Sequence, residues 1–258
     1  MTTGNRQLIV LRNADVVAQY AATRLITVMV EAQSARGLAS VVLTGGGIGT
    51  ATLTALAAHP ARDAVDWGRV DVFWGDERFV PAGDADRNDR SADTALLEHV
   101  PLDPARVHRI PASDELGSPE DGARAYAETL ADVARAEGFG EPVPRFDVVL
   151  LGMGPEGHVA SIFPDTPAAH DAGVVVAVRD CPKPPPLRVS LTFPAIRAAA
   201  EVWLLVTTAQ KAAPVAAALS GATPTEVPAA GAHGRLRTLF LLDHDAAGEV
   251  PVELRPRA

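Results

Sequence analysis

Four strings hold the residues best able to do chemistry, and three of them begin where a short apolar run ends. In Leu151-Gly152-Met153-Gly154-Pro155-Glu156-Gly157-His158-Val159-Ala160-Ser161 a histidine stands beside a glycine. An accessible imidazole there titrates near neutral pH and can act as a general base, with Glu156 close enough to orient it. The competing reading is a histidine that only caps a turn. In Trp74-Gly75-Asp76-Glu77-Arg78-Phe79-Val80 the guanidinium of Arg78 could pair with a phosphate or polarise a carbonyl. A plain surface ion pair would use the same residue types. Thr44-Gly45-Gly46-Gly47-Ile48-Gly49 lies between an apolar run and a helical stretch. Its glycines let backbone amides approach an anion, and the next helix adds a favourable dipole; a bare tight turn is the alternative. It fails the dinucleotide pattern at Thr50 and Thr52, and no Lys-Ser or Lys-Thr pair completes a P-loop. The fourth string pairs Arg188 with Lys211, one of only two lysines in the chain. Lys211 falls near a predicted helix start, where it opposes the dipole unless an anion is present.

Short apolar runs alternating with amphipathic stretches must position these groups. Strands are expected at Leu8–Leu11, Val41–Leu43, Val70–Trp74, Val107–Ile110, Phe146–Leu151, Val174–Val178, Val202–Val206 and Thr238–Leu242. Helices are expected from Asn13 or Asp15 to Arg36, with Gly37 as terminator, and over Thr50–Ala58 and Ala92–His99. Two more run from Pro119 to about Glu137 and from Ala209 to Leu219. The segment containing Asp76, Glu77, Arg78 and Asn88 reads as a polar loop, and Pro182–Pro186 as a stiff surface connector. Continuous apolar strands separated by helices indicate an α/β fold, with a mostly parallel sheet covered by helices on both faces. Such sheets bind ligands beyond their strand C-terminal ends, where the glycine-rich strings fall. No repeat or clear linker divides residues 1–258, so one α/β domain with room for a small subsidiary lobe is expected.

Composition narrows the function classes. Apolar residues make up 47% and charged ones 21%, ordinary for a globular chain. A net charge of −9 argues against nucleic-acid binding, yet leaves room for a small anion held by a few converging cations. No apolar run approaches the roughly 18 residues of a membrane span. Met1-Thr2-Thr3-Gly4-Asn5-Arg6 does not read as a secretory signal, and the single cysteine, Cys181, fits a reducing cytoplasm. No metal-binding motif and no G-x-S-x-G elbow occurs, so neither a metal site nor a serine nucleophile is expected. Cys181 has no evident catalytic partner. The other six histidines (His59, His99, His108, His170, His233 and His244) are expected to be structural or solvated.

Together Thr44–Gly47, Trp74–Val80, Gly152–Pro164, Arg188 and Lys211 resemble the 6-phosphogluconolactonase family, whose fold is shared with glucosamine-6-phosphate deaminases. The resemblance implies a Rossmann-like sheet of the sugar-phosphate isomerase/deaminase type. Deaminases carry Ala-Phe-Asn-Glu-Pro after the Gly-His pair; here Ala160-Ser161-Ile162-Phe163-Pro164 puts a phenylalanine at the acid's position, and Arg78 replaces a tyrosine. Two strings depart from the family: its usual Ser-Gly-Gly-Ser-Thr-Pro is Thr44-Gly45-Gly46-Gly47-Ile48-Gly49, and its Asp-Gly-His-Thr is Glu156-Gly157-His158-Val159. The implied activity is hydrolysis of 6-phospho-D-glucono-1,5-lactone in the oxidative pentose phosphate pathway, with no cofactor. His158 would be the general base, assisted by Glu156, with Arg78 at the oxyanion. Thr44, Gly45, Gly46, Gly47, Asp76, Arg188 and Lys211 would bind the substrate and its phosphate. The implied partner is a sugar-phosphate lactone, for a monomer or small homo-oligomer. An amino-sugar-phosphate deaminase or isomerase and a non-catalytic sugar-phosphate sensor remain the alternatives.

Overall fold

The computed structural model describes residues 5–138 and 140–255, so Met1–Gly4 of the N-terminal string lie outside the described residues. The chain opens with strand β1 (Asn5–Leu11) and helix α1 (Ala14–Arg36). Asn13 caps α1 by accepting the Val16 amide at 3.0 Å, and Gly37 ends it at φ +77°, a conformation glycine adopts freely. The face carrying Val17, Ala21, Leu25 and Met29 is buried, as the helical spacing requires. Next come β2 (Ala39–Leu43), α2 (Gly46–Ala57), β3 (Val70–Trp74), a short β4 (Asp76–Arg78) and α3 (Asn88–Ala95). Then follow α4 (Pro119–Ala136), β5 (Val148–Gly152), β6 (Val175–Val178), β7 (Arg188–Leu191) and α5 (Phe193–Arg197). The last elements are β8 (Glu201–Val206), α6 (Ala212–Leu219), α7 (Pro228–Gly231) and β9 (Arg237–Asp243).

Six strands form one sheet in the order β1-β9-β8-β5-β2-β3, and every pairing in it is parallel. Helices flank it, and β2 and β3 are buried along their whole length, which explains their unbroken apolar sequence. Leu150, Leu151, Trp203 and Phe240 lie in its central strands with at most 1% exposure, so the middle of the sheet is also the middle of the core. A second sheet, antiparallel and ordered β4-β7-β6, packs against α4.

Several expectations need correction. The glycine string is not a loop before a helix at Thr50: α2 starts at Gly46, so Gly46 and Gly47 form its first turn. The polar segment at Asp76 is a strand, stabilised by pairing with β7 rather than by apolar side chains. The helix placed at Ala92–His99 begins earlier, because the Glu77 carboxylate accepts the amides of Asn88 (2.7 Å) and Asp89 (2.9 Å) and so caps it from a distance. Leu97–His99 is a separate 3₁₀ turn. Val107–Ile110 makes only a single bridge, Val107 with Val72. The predicted Ala209–Leu219 helix divides into a 3₁₀ turn, Ala209–Lys211, and α6. Among the described residues no helix is long and apolar enough to cross a membrane.

Candidate active site

The C-terminal ends of β2, β3, β5 and β8 open into a cavity of about 470 Å³. Nine of the ten expected site residues line it: Thr44, Gly45, Gly46, Gly47, Asp76, Arg78, His158, Arg188 and Lys211. The tenth, Glu156, stands behind the imidazole, with its Oε1 3.1 Å from His158 Nδ1.

His158 is placed by a tight turn after β5. Gly154 N donates to His158 O and Gly157 N to Gly154 O, each at 3.0 Å, with Gly157 at φ +87°. Gly154 must be glycine, since a Cβ there would lie 2.1 Å from His158 Nδ1. The imidazole is stacked on Phe163 at a centroid distance of 4.3 Å, and its Nδ1 has no aligned hydrogen bond despite the nearness of Glu156. Burial pushes His158 below its ordinary pKa of 6.5, and Lys183 pushes the same way, while Glu156 and Asp76 oppose them. The ring is therefore neutral at pH 7, the form a base needs. Burial alone would raise Glu156, but its own amide, His158 and Lys183 hold it below the usual glutamate range.

The opposite wall is the N-terminus of α2. Its cap, Gly45, makes no side-chain cap bond, which leaves the first-turn amides for a ligand. Gly45 is required by close approach, since a Cβ would sit 1.8 Å from Asn88 Oδ1. Thr44 Oγ1 accepts the Gly152 amide at 3.1 Å and so ties this wall to the loop carrying His158. Lys211 also lines the cavity, and burial followed by the charge of Lys183 lowers its pKa. A nearby anion would relieve both.

The third wall is β4. Ser161 Oγ donates to Asp76 Oδ2 at 2.7 Å, so Asp76 is an acceptor suited to sugar hydroxyls rather than to a phosphate. Arg78 Nη1 donates to Asp86 O, whereas its Nε is buried without a partner. Beneath it Glu77, 1% exposed, accepts the amides of Arg78, Asn88 and Asp89. Burial pushes Glu77 up to about 7, against the Asn88 amide and the Arg87 guanidinium. Arg87 is itself locked to Asp89 through two hydrogen bonds, at 3.0 and 2.8 Å.

The proline run is more than the surface connector expected from composition, because Lys183 and Pro184 form part of the cavity wall. Arg188 clasps this run: its Nε donates to Pro185 O, and its Nη2 to Pro184 O and Lys183 O. Arg188 was expected to meet a phosphate; its Nε and Nη2 are engaged by these carbonyls, which leaves Nη1 for that contact. Lys183, Asn88, Thr207 and Thr208 also line the cavity and were not expected there. Only the rarity of lysine pointed to Lys183. Among the described residues no cluster of three or more His, Cys, Asp or Glu side chains could hold a metal ion.

Known proteins resemble the chain along nearly its whole length. Residues 12–240 match the family described as glucosamine-6-phosphate isomerases/6-phosphogluconolactonase. The chain is 55% identical over 255 residues to a 6-phosphogluconolactonase of Streptomyces coelicolor, covering 98% of this chain and 97% of the relative. It is 50% identical to that of Mycobacterium tuberculosis over 242 residues, covering 93% and 96%. Among solved structures, the 6-phosphogluconolactonase of Trypanosoma brucei superposes with a TM-score of 0.81 at 26% identity, covering 96% of this chain and all of that one (100%). The chain belongs to the glucosamine-6-phosphate isomerase/6-phosphogluconolactonase family.

Proposed function

We propose that the chain hydrolyses 6-phospho-D-glucono-1,5-lactone to 6-phosphogluconate, the reaction for which its relatives at 50–55% identity are named. The observation that carries this reading is one cavity with the His158 imidazole, backed by Glu156, on one wall and an uncapped helix N-terminus with Lys211 on another. The 6-phosphate sits on the first-turn amides of α2 with Lys211 and Arg188, and Asp76 accepts from a sugar hydroxyl. Phosphate binding far from the reacting bond positions the ring. Glu156 occupies the Nδ1 side of His158, so Nε2 takes a proton from water as the water oxygen attacks C1. Arg78 stabilises the oxyanion, a contribution of about 3 kcal/mol. Collapse breaks the bond from C1 to the ring oxygen, which receives the proton from His158. A lactone is reactive enough to need no covalent intermediate.

A deaminase is disfavoured by Phe163, whose ring stacks on the imidazole where that chemistry needs an acid. The lone cysteine fits a reducing compartment, and we place the protein in the cytoplasm as a monomer or small homo-oligomer. The test follows 6-phosphogluconate with a coupled NADP-dependent dehydrogenase in the presence of EDTA, subtracting spontaneous opening of the lactone. Turnover well above background is expected. Binding of the phosphorylated sugar without turnover would replace this reading with a sensor.

A further inference from the structure

The chain has two lysines, Lys183 and Lys211, and both line this cavity. Lys211 has an evident task as a cation for the phosphate. Lys183 is engaged differently: its Nζ lies 3.1 Å from Glu156 Oε2, while Glu156 Oε1 lies 3.1 Å from His158 Nδ1. One carboxylate thus bridges an ammonium and the imidazole, a separate oxygen for each.

The backbone under Lys183 is fixed. The guanidinium of Arg188, on β7 and only 6% exposed, holds the carbonyls of Lys183 (3.2 Å), Pro184 (3.0 Å) and Pro185 (2.8 Å). The Cys181 amide donates to Pro186 O at 3.0 Å and closes the base of the strap. Prolines on both sides of Lys183 remove backbone freedom. Such a mount holds the Lys183 backbone opposite Glu156, so the contact orders only the side chain.

We propose that Lys183 is a positioning residue for the His158 base: it holds the second oxygen of Glu156, fixes that carboxylate against Nδ1, and offsets its charge. The inference rests on the lactonase reading of the site. An unopposed carboxylate at this distance would favour the imidazolium, and a protonated ring cannot accept a proton from water. Glu156 from the same loop and Asp76 from β4 both favour the charged ring. Lys183 from the strap and burial against Phe163 disfavour it, and Arg78, Arg188 and Lys211 add positive charge around the same cavity. Glu156 can therefore orient the ring without protonating it.

The test is a pH titration of the His158 ring Cε1–H signal in the full chain, assigned by its loss in His158→Gln. In Lys183→Met the midpoint should rise by roughly half to one pH unit. Lys183→Arg, which keeps the charge, should hold it near the native position, and Lys183→Gln should behave like the methionine variant. The acid limb of kcat/KM should move by the same amount. A midpoint that stays put in both neutral variants overturns the proposal, even if KM rises, because Lys183 would then only contact substrate. The NMR result needs no turnover, so a chain without lactonase activity would sink the functional reading while the midpoint still decides the role of Lys183. The Lys183 side chain is 41% exposed, so these variants should fold.

Discussion

At the scale of single residues, the site depends on an imidazole kept neutral and a glycine that makes room for it. Because burial, aided by Lys183, sets His158 below its ordinary 6.5, kcat/KM should fall on the acid side with a midpoint below 6.5. The unfolded chain takes up that proton first, so stability should also decline as pH drops from 6.5 through the folded value. A pH–rate profile with an acid limb above 6.5 would contradict the assignment of His158 as base. Gly154→Ala tests the geometry. Its Cβ would fall 2.2 Å from His158 Cε1 and 2.7 Å from Glu156 Oε2, so the imidazole must move while the buried core stays untouched. A displacement of about 1 Å can cost about 100-fold in rate, and a loss of 10- to 100-fold in kcat with unchanged circular dichroism is expected. All ten expected site residues come from short local strings whose chemistry is legible in sequence, and nine of them line the cavity. Lys183, marked only by the rarity of lysine, and Asn88 also line the cavity but carry no such local string. Their partners are distant in the chain: Glu156 is 27 residues from Lys183, and Asp76 is 12 from Asn88.

At the scale of elements, the parallel strands could be read from their apolar runs, whereas β4 and β7 could not. Asp76, Glu77 and Arg78 look like a loop because hydropathy cannot register a strand whose charged side chains are satisfied on folding. The start of α2 was missed for a related reason. Glycines at Gly46, Gly47 and Gly49 weaken helix propensity, but packing of Ile48, Thr52, Leu53 and Leu56 overrides it. The turn before Lys211 carries strain. Thr208 adopts φ +83° and ψ +144°, a region costly for a β-branched residue, and its amide donates to both oxygens of Asp243 at 3.2 and 3.1 Å. Such strain costs about 1–3 kcal/mol, offset in part by the extra freedom glycine gives the unfolded chain. Thr208→Gly should therefore stabilise the protein by about 1 kcal/mol and raise Tm by roughly 2–4 °C. A lower Tm in calorimetry would show that the Thr208 side chain contributes more by its contacts than it loses in strain.

At the scale of the whole molecule, a chain of net charge −9 repels anions at long range, yet four cationic side chains, Arg78, Lys183, Arg188 and Lys211, line one cavity. Capture of a phosphorylated substrate then relies on short-range attraction that salt screens. Raising ionic strength from about 0.05 to 0.5 M should increase KM several-fold and leave kcat nearly unchanged. A falling kcat with constant KM would place the cations at the reacting bond instead. Gly75 joins the antiparallel sheet to the large one: it donates to Leu43 O in β2 and accepts the Leu191 amide of β7, each within 3.0 Å. Asp76 and Arg78 are thereby indexed to the same frame as the glycine strings.

The hydrogen bond from Gly152 to Thr44 has a consequence for substrate length. It joins the loops that begin α2 and carry His158, on neighbouring strands whose register is fixed at Val41 with Val148 and Val42 with Val149. The span from the helix amides to the imidazole is thus a rigid gauge rather than an adjustable one. A lactone with one carbon fewer between phosphate and carbonyl should enter, compete with the true substrate, and leave unopened, because its carbonyl stops short of the activated water.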